Sequence, residues 1–417
     1  SPRMSFPAVT TMNEERFLDY SPQNAFFVFD RDRFENNISN IQRSFSNVGV
    51  PLDIGYSFKT NFTPYICKTA RRFGCKAEVV SPFEYSLARR YGFAPDEIIY
   101  NGVCKDVWQA YSCAELGGIV NCDTVSEFSK LAGTAKSKGK KIKLGVRVTF
   151  SVGNGIQSRF GIPYESKEFE DLLALLSDES VKEYVELAGI HCHISKARQL
   201  HYWRLRISKM VEIARMLNVT DYIDLGGDMF SDMERDMSKQ FNGYCTMQEY
   251  ASVIAQELFR SAKKYRIILE AGTPTIANAM SMYSRVTAIK RRPDYPHDIV
   301  ILNTSKFDLG YASTVLNLPI AVYTTGKAPR KDLHDAVFTG YTCIEDDKIY
   351  RCYTGELAVG DTVVFRNVGA YSISQSPAFI LPQPEILAVH GDSIEIIKRR
   401  STPSNVLASY KTEGGEV

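Results

Sequence analysis

From about Asp53 onward, short runs of β-branched and other apolar residues alternate with longer stretches whose apolar positions recur every three or four residues. That alternation is the pattern of strand-helix units around a parallel sheet. The apolar runs are Ile54 to Phe58, Ala77 to Val80, Ile98 to Tyr100, Gly118 to Val120, Leu144 to Val148, Ala188 to Ile190, Tyr222 to Leu225 and Ile267 to Leu269. Eight such runs predict a closed (β/α)₈ TIM barrel, an α/β fold. Between them, Val125 to Ala135, Glu168 to Leu176, Tyr202 to Leu217 and Met247 to Lys264 have the periodicity of amphipathic helices. Beyond Ala279 the segments shorten and alternate with turn residues, as in Arg285 to Ile289, Ile299 to Leu302, Thr362 to Phe365 and Ser393 to Ile397, which predicts a C-terminal all-β domain, sandwich-like or barrel-like. The lone run Ala25 to Phe29 has no local partner and is expected to join that second sheet. The organisation predicted is an N-terminal extension and strand over 1–34, a barrel over 35–282, a β domain over 283–400 and a mobile polar tail over 401–417.

Composition narrows the function classes. A chain of 417 residues, 44% hydrophobic, has material for about two cores. Its 50 basic and 48 acidic residues are interspersed, so no stripe for nucleic acid stands out. No apolar run approaches the ~18 residues of a membrane span, and the start lacks the basic end and apolar middle of a signal peptide, so a cytoplasmic protein is expected. The nine cysteines show no CxxC spacing, which argues against a disulfide framework or a zinc site.

The candidate chemistry lies at the carboxyl ends of the predicted strands, where barrel enzymes assemble their sites. Lys59 ends the first barrel strand, where poor solvation favours a neutral, nucleophilic amine; a solvated strand cap is the plain alternative. Glu270 ends the eighth, next to the first in a closed barrel, and suits either a salt bridge to Lys59 or a partner for a protonated ring nitrogen. Gly226 and Gly227 follow the seventh strand and Gly272 the eighth, allowing backbone N–H groups to approach an anion such as a phosphate. His193 can lay its imidazole over an aromatic ring, whereas His191, on the same face one layer deeper, reads as a barrel-filling residue. The His-x-His spacing lacks the carboxylates of a metal site, so no metal is expected.

Taken together these motifs resemble the fold-type III, alanine-racemase-like enzymes that use pyridoxal 5'-phosphate, within the group of diaminopimelate and eukaryotic ornithine decarboxylases. Tyr56-Ser57-Phe58-Lys59-Thr60-Asn61 is similar to the motif of the Schiff-base lysine, and Glu78-Val79-Val80-Ser81-Pro82-Phe83-Glu84 to a segment that usually begins with aspartate. Ser158-Arg159-Phe160-Gly161, His191-Cys192-His193-Ile194 and Asp224-Leu225-Gly226-Gly227 match three further motifs. The resemblance implies that Lys59 and His193 are catalytic, and that His193 stacks on the cofactor ring while Gly226 and Gly227 hold its phosphate. Glu78, Arg147, Gly272 and Thr273 are added as cofactor-binding residues. Cys343 would be the proton donor and Tyr371 a phosphate contact, both supplied across a homodimer.

Departures from the pattern also inform. Where the family has arginine after its glutamate motif, this chain has Thr273, and Lys196 follows Ser195 where serine is usual; Lys196 is expected to restore the missing cation. The acidic residue after the cysteine is Ile344, and the arginine of an Arg-Pro pair is Leu318. Those losses argue against diaminopimelate and suggest a larger or conjugated amino acid from a specialised biosynthesis, with Glu345, Asp346 and Tyr371 on the substrate side. The implied reaction is amino-acid decarboxylation. The alternatives are an ornithine- or lysine-type decarboxylase, a racemase on the same fold and a non-catalytic homologue that binds proteins.

Overall fold

The computed structural model describes residues 12–412. The chain divides into two units, one made of 37–232 with 241–275, the other of 1–36, 233–240 and 276–417. β1 (Phe26–Asp30) belongs to the second unit, and the first begins its sheet with β2 (Leu52–Ser57), β3 (Lys76–Val79), β4 (Ile98–Tyr100) and β5 (Ile119–Cys122). β6 (Ile142–Thr149), the short β7 (Ile162–Pro163), β8 (Val185–His191), β9 (Tyr222–Asp224) and β10 (Arg266–Glu270) complete it. The strands pair in parallel in the order β5, β4, β3, β2, β10, β9, β8, β6, and a β5 to β6 pairing closes the ring, while β7 extends β6 outside it. Each barrel strand overlaps one of the apolar runs, because strands covered on both faces read as continuous hydrophobic stretches.

Inside the ring, Ile99, Ile119, Ala188, Tyr222 and Ile268 form a buried apolar cluster. Gly189 makes room for the Tyr222 ring, since a Cβ there would fall 2.3 Å from it. Tyr222 spans the interior and donates its hydroxyl to Asn121 Oδ1 at 2.7 Å. Helices Val125–Lys138, Lys167–Ser177 and Leu200–Leu217 coincide with predicted stretches. The helix Met247–Leu258 stops six residues short of the predicted end at Lys264, because Ser261 N–H turns back to Leu258 O and Lys263 bonds to Val219 O on the way into β10.

In the second unit β1 pairs antiparallel with β11 (Met280–Lys290). The sheet continues through β12 (Ile299–Leu302), β13 (Ile320–Tyr323), β14 (Lys331–Thr339), β15 (Lys348–Leu357), β16 (Thr362–Phe365), β17 (Glu385–His390) and β18 (Ser393–Lys398). β17 lies parallel to the other side of β1. Its core packs Phe26, Val28, Tyr283, Val364, Leu387 and Val389 around Phe17. Glu14, buried in the N-terminal extension, accepts from Arg366 Nε at 2.6 Å. The segment predicted as a mobile tail contains the helical turn Pro403–Leu407, started by a Thr402/Asn405 capping box with proline in the first turn. The remainder of that prediction, 413–417, lies outside the described residues. Among the described residues no helix is long and apolar enough to cross a membrane.

Candidate active site

Eight strand ends bring one polar network together at the carboxyl side of the barrel. Lys59, two residues past β2, places Nζ 3.2 Å from Glu78 Oε2 on the neighbouring β3. Asn101, just past β4, joins the two acids: its Nδ2 donates to Glu78 Oε1 at 3.1 Å and to Glu270 Oε2 at 2.8 Å. Asn121 in turn donates to Asn101 Oδ1 at 2.8 Å, which fixes the amide orientation. Glu270 is a buried carboxylate that takes the Asn101 amide on Oε2.

Glu270 is 4% exposed and has His191 Nε2 3.0 Å from Oε2. Asp224, the last residue of β9, is hydrogen-bonded to Glu270 and takes the Gly226 N–H on Oδ1 at 2.9 Å, while among the described residues no N–H donor reaches its Oδ2. Two carboxyl oxygens hydrogen-bond only if one carries a proton. Burial, then the Glu270 charge, pushes Asp224 well above the carboxylate range, whereas Glu270, although burial opposes it, is held below that range by His191, Asp224 and Lys59. Both directions favour the proton on Asp224 and the charge on Glu270. The donor atoms of His191, Asp224 and Glu270 lie within 4.8 Å of one another, a spacing a small cation can also span.

His193 follows β8 and is pushed down to about 3 by burial and then by Lys59, so its ring is neutral at pH 7. Gly227 N–H donates to its Nδ1 at 3.1 Å, which places the ring proton on Nε2. The Gly226 N–H donates to Asp224 and the Gly227 N–H to His193, and both glycines also allow close packing: added Cβ atoms would lie 2.2 Å from Cys192 O and 2.6 Å from Glu270 O. Gly272 is needed likewise against Thr60 Oγ1, at 2.2 Å from an added Cβ, and Thr273 begins the short helix that follows.

Arg147, on β6, donates to His193 O at 3.3 Å and lies 4.8 Å over the Phe160 ring, so it braces the histidine loop. Lys196 is exposed, in a left-handed conformation at φ 55°, with Asn154 Nδ2 bonded to its carbonyl at 3.2 Å. Cys343, Glu345, Asp346 and Tyr371 all belong to the other unit. Cys343, Glu345 and Asp346 are exposed on a loop anchored by buried Asp347, which accepts from Thr342 Oγ1 at 2.6 Å and Lys306 N–H at 2.9 Å. Tyr371 is half-buried at φ 53°, a strained conformation for a non-glycine residue. Leu318 is 1% exposed and so belongs to the core of that unit. Sequence reasoning gave no role to Asn101, Asp347 or Arg206, whose importance lies in contacts between distant segments.

Glu84, beside this network, accepts the Val80 N–H at 3.0 Å and is raised to about 7 by burial and then by Glu78. Its folded pKa exceeds its unfolded one, so its contribution to stability is full below about 4.5 and is lost as pH rises through about 7. Glu84→Gln is therefore expected to match the parent near pH 4.5 and to exceed its stability at pH 8 by on the order of 2–3 kcal/mol in denaturant melts. Equal pH dependence in both proteins would refute this assignment.

A lysine amine, an ionised buried carboxylate and a neutral imidazole in one barrel mouth match the aldehyde, ring nitrogen and ring face of a pyridoxal cofactor. A family sequence model described as pyridoxal-dependent decarboxylase, pyridoxal binding domain, matches residues 31–277. The chain belongs to the pyridoxal-dependent decarboxylase family. Its cofactor is pyridoxal phosphate. Diaminopimelate decarboxylase of Archaeoglobus fulgidus is 26% identical over 414 residues, covering 92% of each chain. Antizyme inhibitor 1 of Rattus norvegicus is also 26% identical, over 383 residues, covering 86% of this chain and 80% of the relative. This pyridoxal-dependent decarboxylase fold superposes on diaminopimelate decarboxylase from Helicobacter pylori, solved with L-lysine, at a TM-score of 0.81 and 21% identity over 95% of this chain and 98% of the other. It superposes on lysine decarboxylase from Selenomonas ruminantium at 0.71 and 19% over 92% and 97%.

Proposed function

We propose that the protein decarboxylates an amino acid, with Lys59 as the cofactor lysine and Cys343 as the proton donor. The observation that supports this most is Glu270, a carboxylate kept charged without solvent. When bound, pyridoxal phosphate supplies the electron sink for the pair left as the carboxylate carbon departs. Glu270 would hold the cofactor's ring nitrogen protonated. Glu78 orients the Lys59 amine, and His193, pinned by Gly227, offers a neutral ring for stacking. Cys343 Sγ delivers a proton from a loop held by Asp347.

Cys343 and Tyr371 are read as serving the partner's site in an intracellular homodimer, so a variant that stays monomeric is inactive. The substrate is read as a larger or conjugated amino acid rather than meso-diaminopimelate, because Ile344 carries no charge and Leu318 is buried. Glu345 and Asp346 are the exposed acids left to meet an amine. The likeness to an antizyme inhibitor supports a second reading, a non-catalytic binding protein. Carbon dioxide release across a panel of free and conjugated amino acids separates the two: release that disappears in Lys59→Ala supports the enzyme, and none from any substrate by cofactor-loaded protein refutes it.

Lys196 is read as a cation for the cofactor phosphate. Lys196→Ala is expected to raise the Kd for pyridoxal phosphate about 10- to 100-fold, the worth of one charge-assisted hydrogen bond. Unchanged affinity by absorbance titration would remove Lys196 from the site.

A further inference from the structure

Arg206 is 0% exposed, which is exceptional for a guanidinium. It sits on helix Leu200–Leu217 with its Cζ 3.8 Å from the Trp203 ring centroid. Its Nη1 donates to Leu225 O at 2.9 Å and Gly227 O at 2.7 Å, and its Nη2 to Ile194 O at 3.0 Å. All three acceptors are neutral backbone carbonyls. The nearby carboxylate, Asp228, is taken by Arg198 Nε at 2.7 Å and Ala197 N–H at 3.1 Å, and no ion pair to Arg206 forms among the described residues. Asp228 and Glu270 act on this charge without a direct bond to it, and Nε has no partner among the described residues, so a further anion nearby is expected to be favoured.

The carbonyls that Arg206 binds lie in the loops that follow β8 and β9. Gly227 O shares its peptide with the Asp228 N–H, and Ile194 O with the Ser195 N–H. Neither of these N–H groups is bonded to an acceptor in the protein among the described residues. A cation on the carbonyl side polarises a peptide and makes its N–H a stronger donor. The two N–H groups border left-handed residues, Asp228 at φ 71° and Lys196 at φ 55°, the backbone form that gathers N–H groups into an anion nest.

We propose that Arg206 is a positioning residue for the cofactor phosphate, supplying from behind the loops, through the Asp228 and Ser195 peptides, the positive field that Thr273 does not. This inference rests on the pyridoxal phosphate reading of the site and names how its anionic end is recognised. It differs from a purely structural brace in one measurable respect: it discriminates ligands by their phosphate.

The test compares Kd values of the protein for pyridoxal phosphate and for pyridoxal, by absorbance titration, in the parent, Arg206→Met and Arg206→Lys. Arg206→Met is expected to weaken pyridoxal phosphate by about 10-fold or more while changing pyridoxal by less than about 3-fold, and Arg206→Lys to restore most of the difference. Equal loss for both ligands, no recovery with lysine, or failure of both variants to fold assigns Arg206 to structure and overturns the proposal. A parent that binds pyridoxal phosphate no better than pyridoxal also overturns it, whereas a parent that binds neither sinks the functional reading itself.

Discussion

Lys59→Ala is expected to fold, to remain colourless after incubation with pyridoxal phosphate, and to release no carbon dioxide from any amino acid the parent decarboxylates. The lysine is one-third exposed and its partner Glu78 keeps the Asn101 amide on its other oxygen, so removing the amine leaves no buried charge without a hydrogen bond. The loss is therefore one of chemistry. An amine is the group able to condense with an aldehyde, and His193 cannot replace it, because its ring is neutral and Nδ1 takes the Gly227 N–H. A visible band that persists in Lys59→Ala would show that another residue binds the cofactor. Thermal unfolding within a few degrees of the parent would show that the fold is intact.

Glu270→Gln should be the second most damaging change, lowering kcat by about 10²- to 10³-fold, the usual cost of removing one preorganised charge from a reacting centre. The substitution keeps the volume and an oxygen for the Asn101 amide, so the effect isolates the charge. Cofactor affinity should change far less than kcat. Because Asp224 is raised above the normal carboxylate range and Glu270 is held below it, Glu270 should not set the acid limb of the parent's rate profile. A Glu270→Gln protein with parental kcat would mean that this carboxylate faces no reacting group.

The barrel was legible because each of its strands is covered on both faces and reads as an apolar run, with Lys59 and Glu270 directly after two of the runs and His193 three residues beyond a third. What that pattern lacks is a measure of who meets whom across the ring. Asn101 was visible as a strand-end polar residue, but its bridge between Glu78 and Glu270 depends on closure of the sheet. Gly226 and Gly227 were visible as a turn, yet their N–H groups go to Asp224 and His193 and their small size serves packing. Arg206 looked like one more basic position on an amphipathic helix; only its burial against three carbonyls separates it from Arg204, which is partly exposed and paired with Glu257. The capping signal of Thr402, Pro403 and Asn405 was present in the sequence and outweighed by the polar composition of the tail.

The most direct test is product analysis by mass spectrometry after cofactor-loaded protein meets a panel of free and conjugated amino acids. The account predicts one class of substrate that loses the mass of carbon dioxide, with Lys59→Ala leaving it untouched. Substrates that return with unchanged mass but inverted configuration, or no turnover by protein that holds its cofactor, would contradict it.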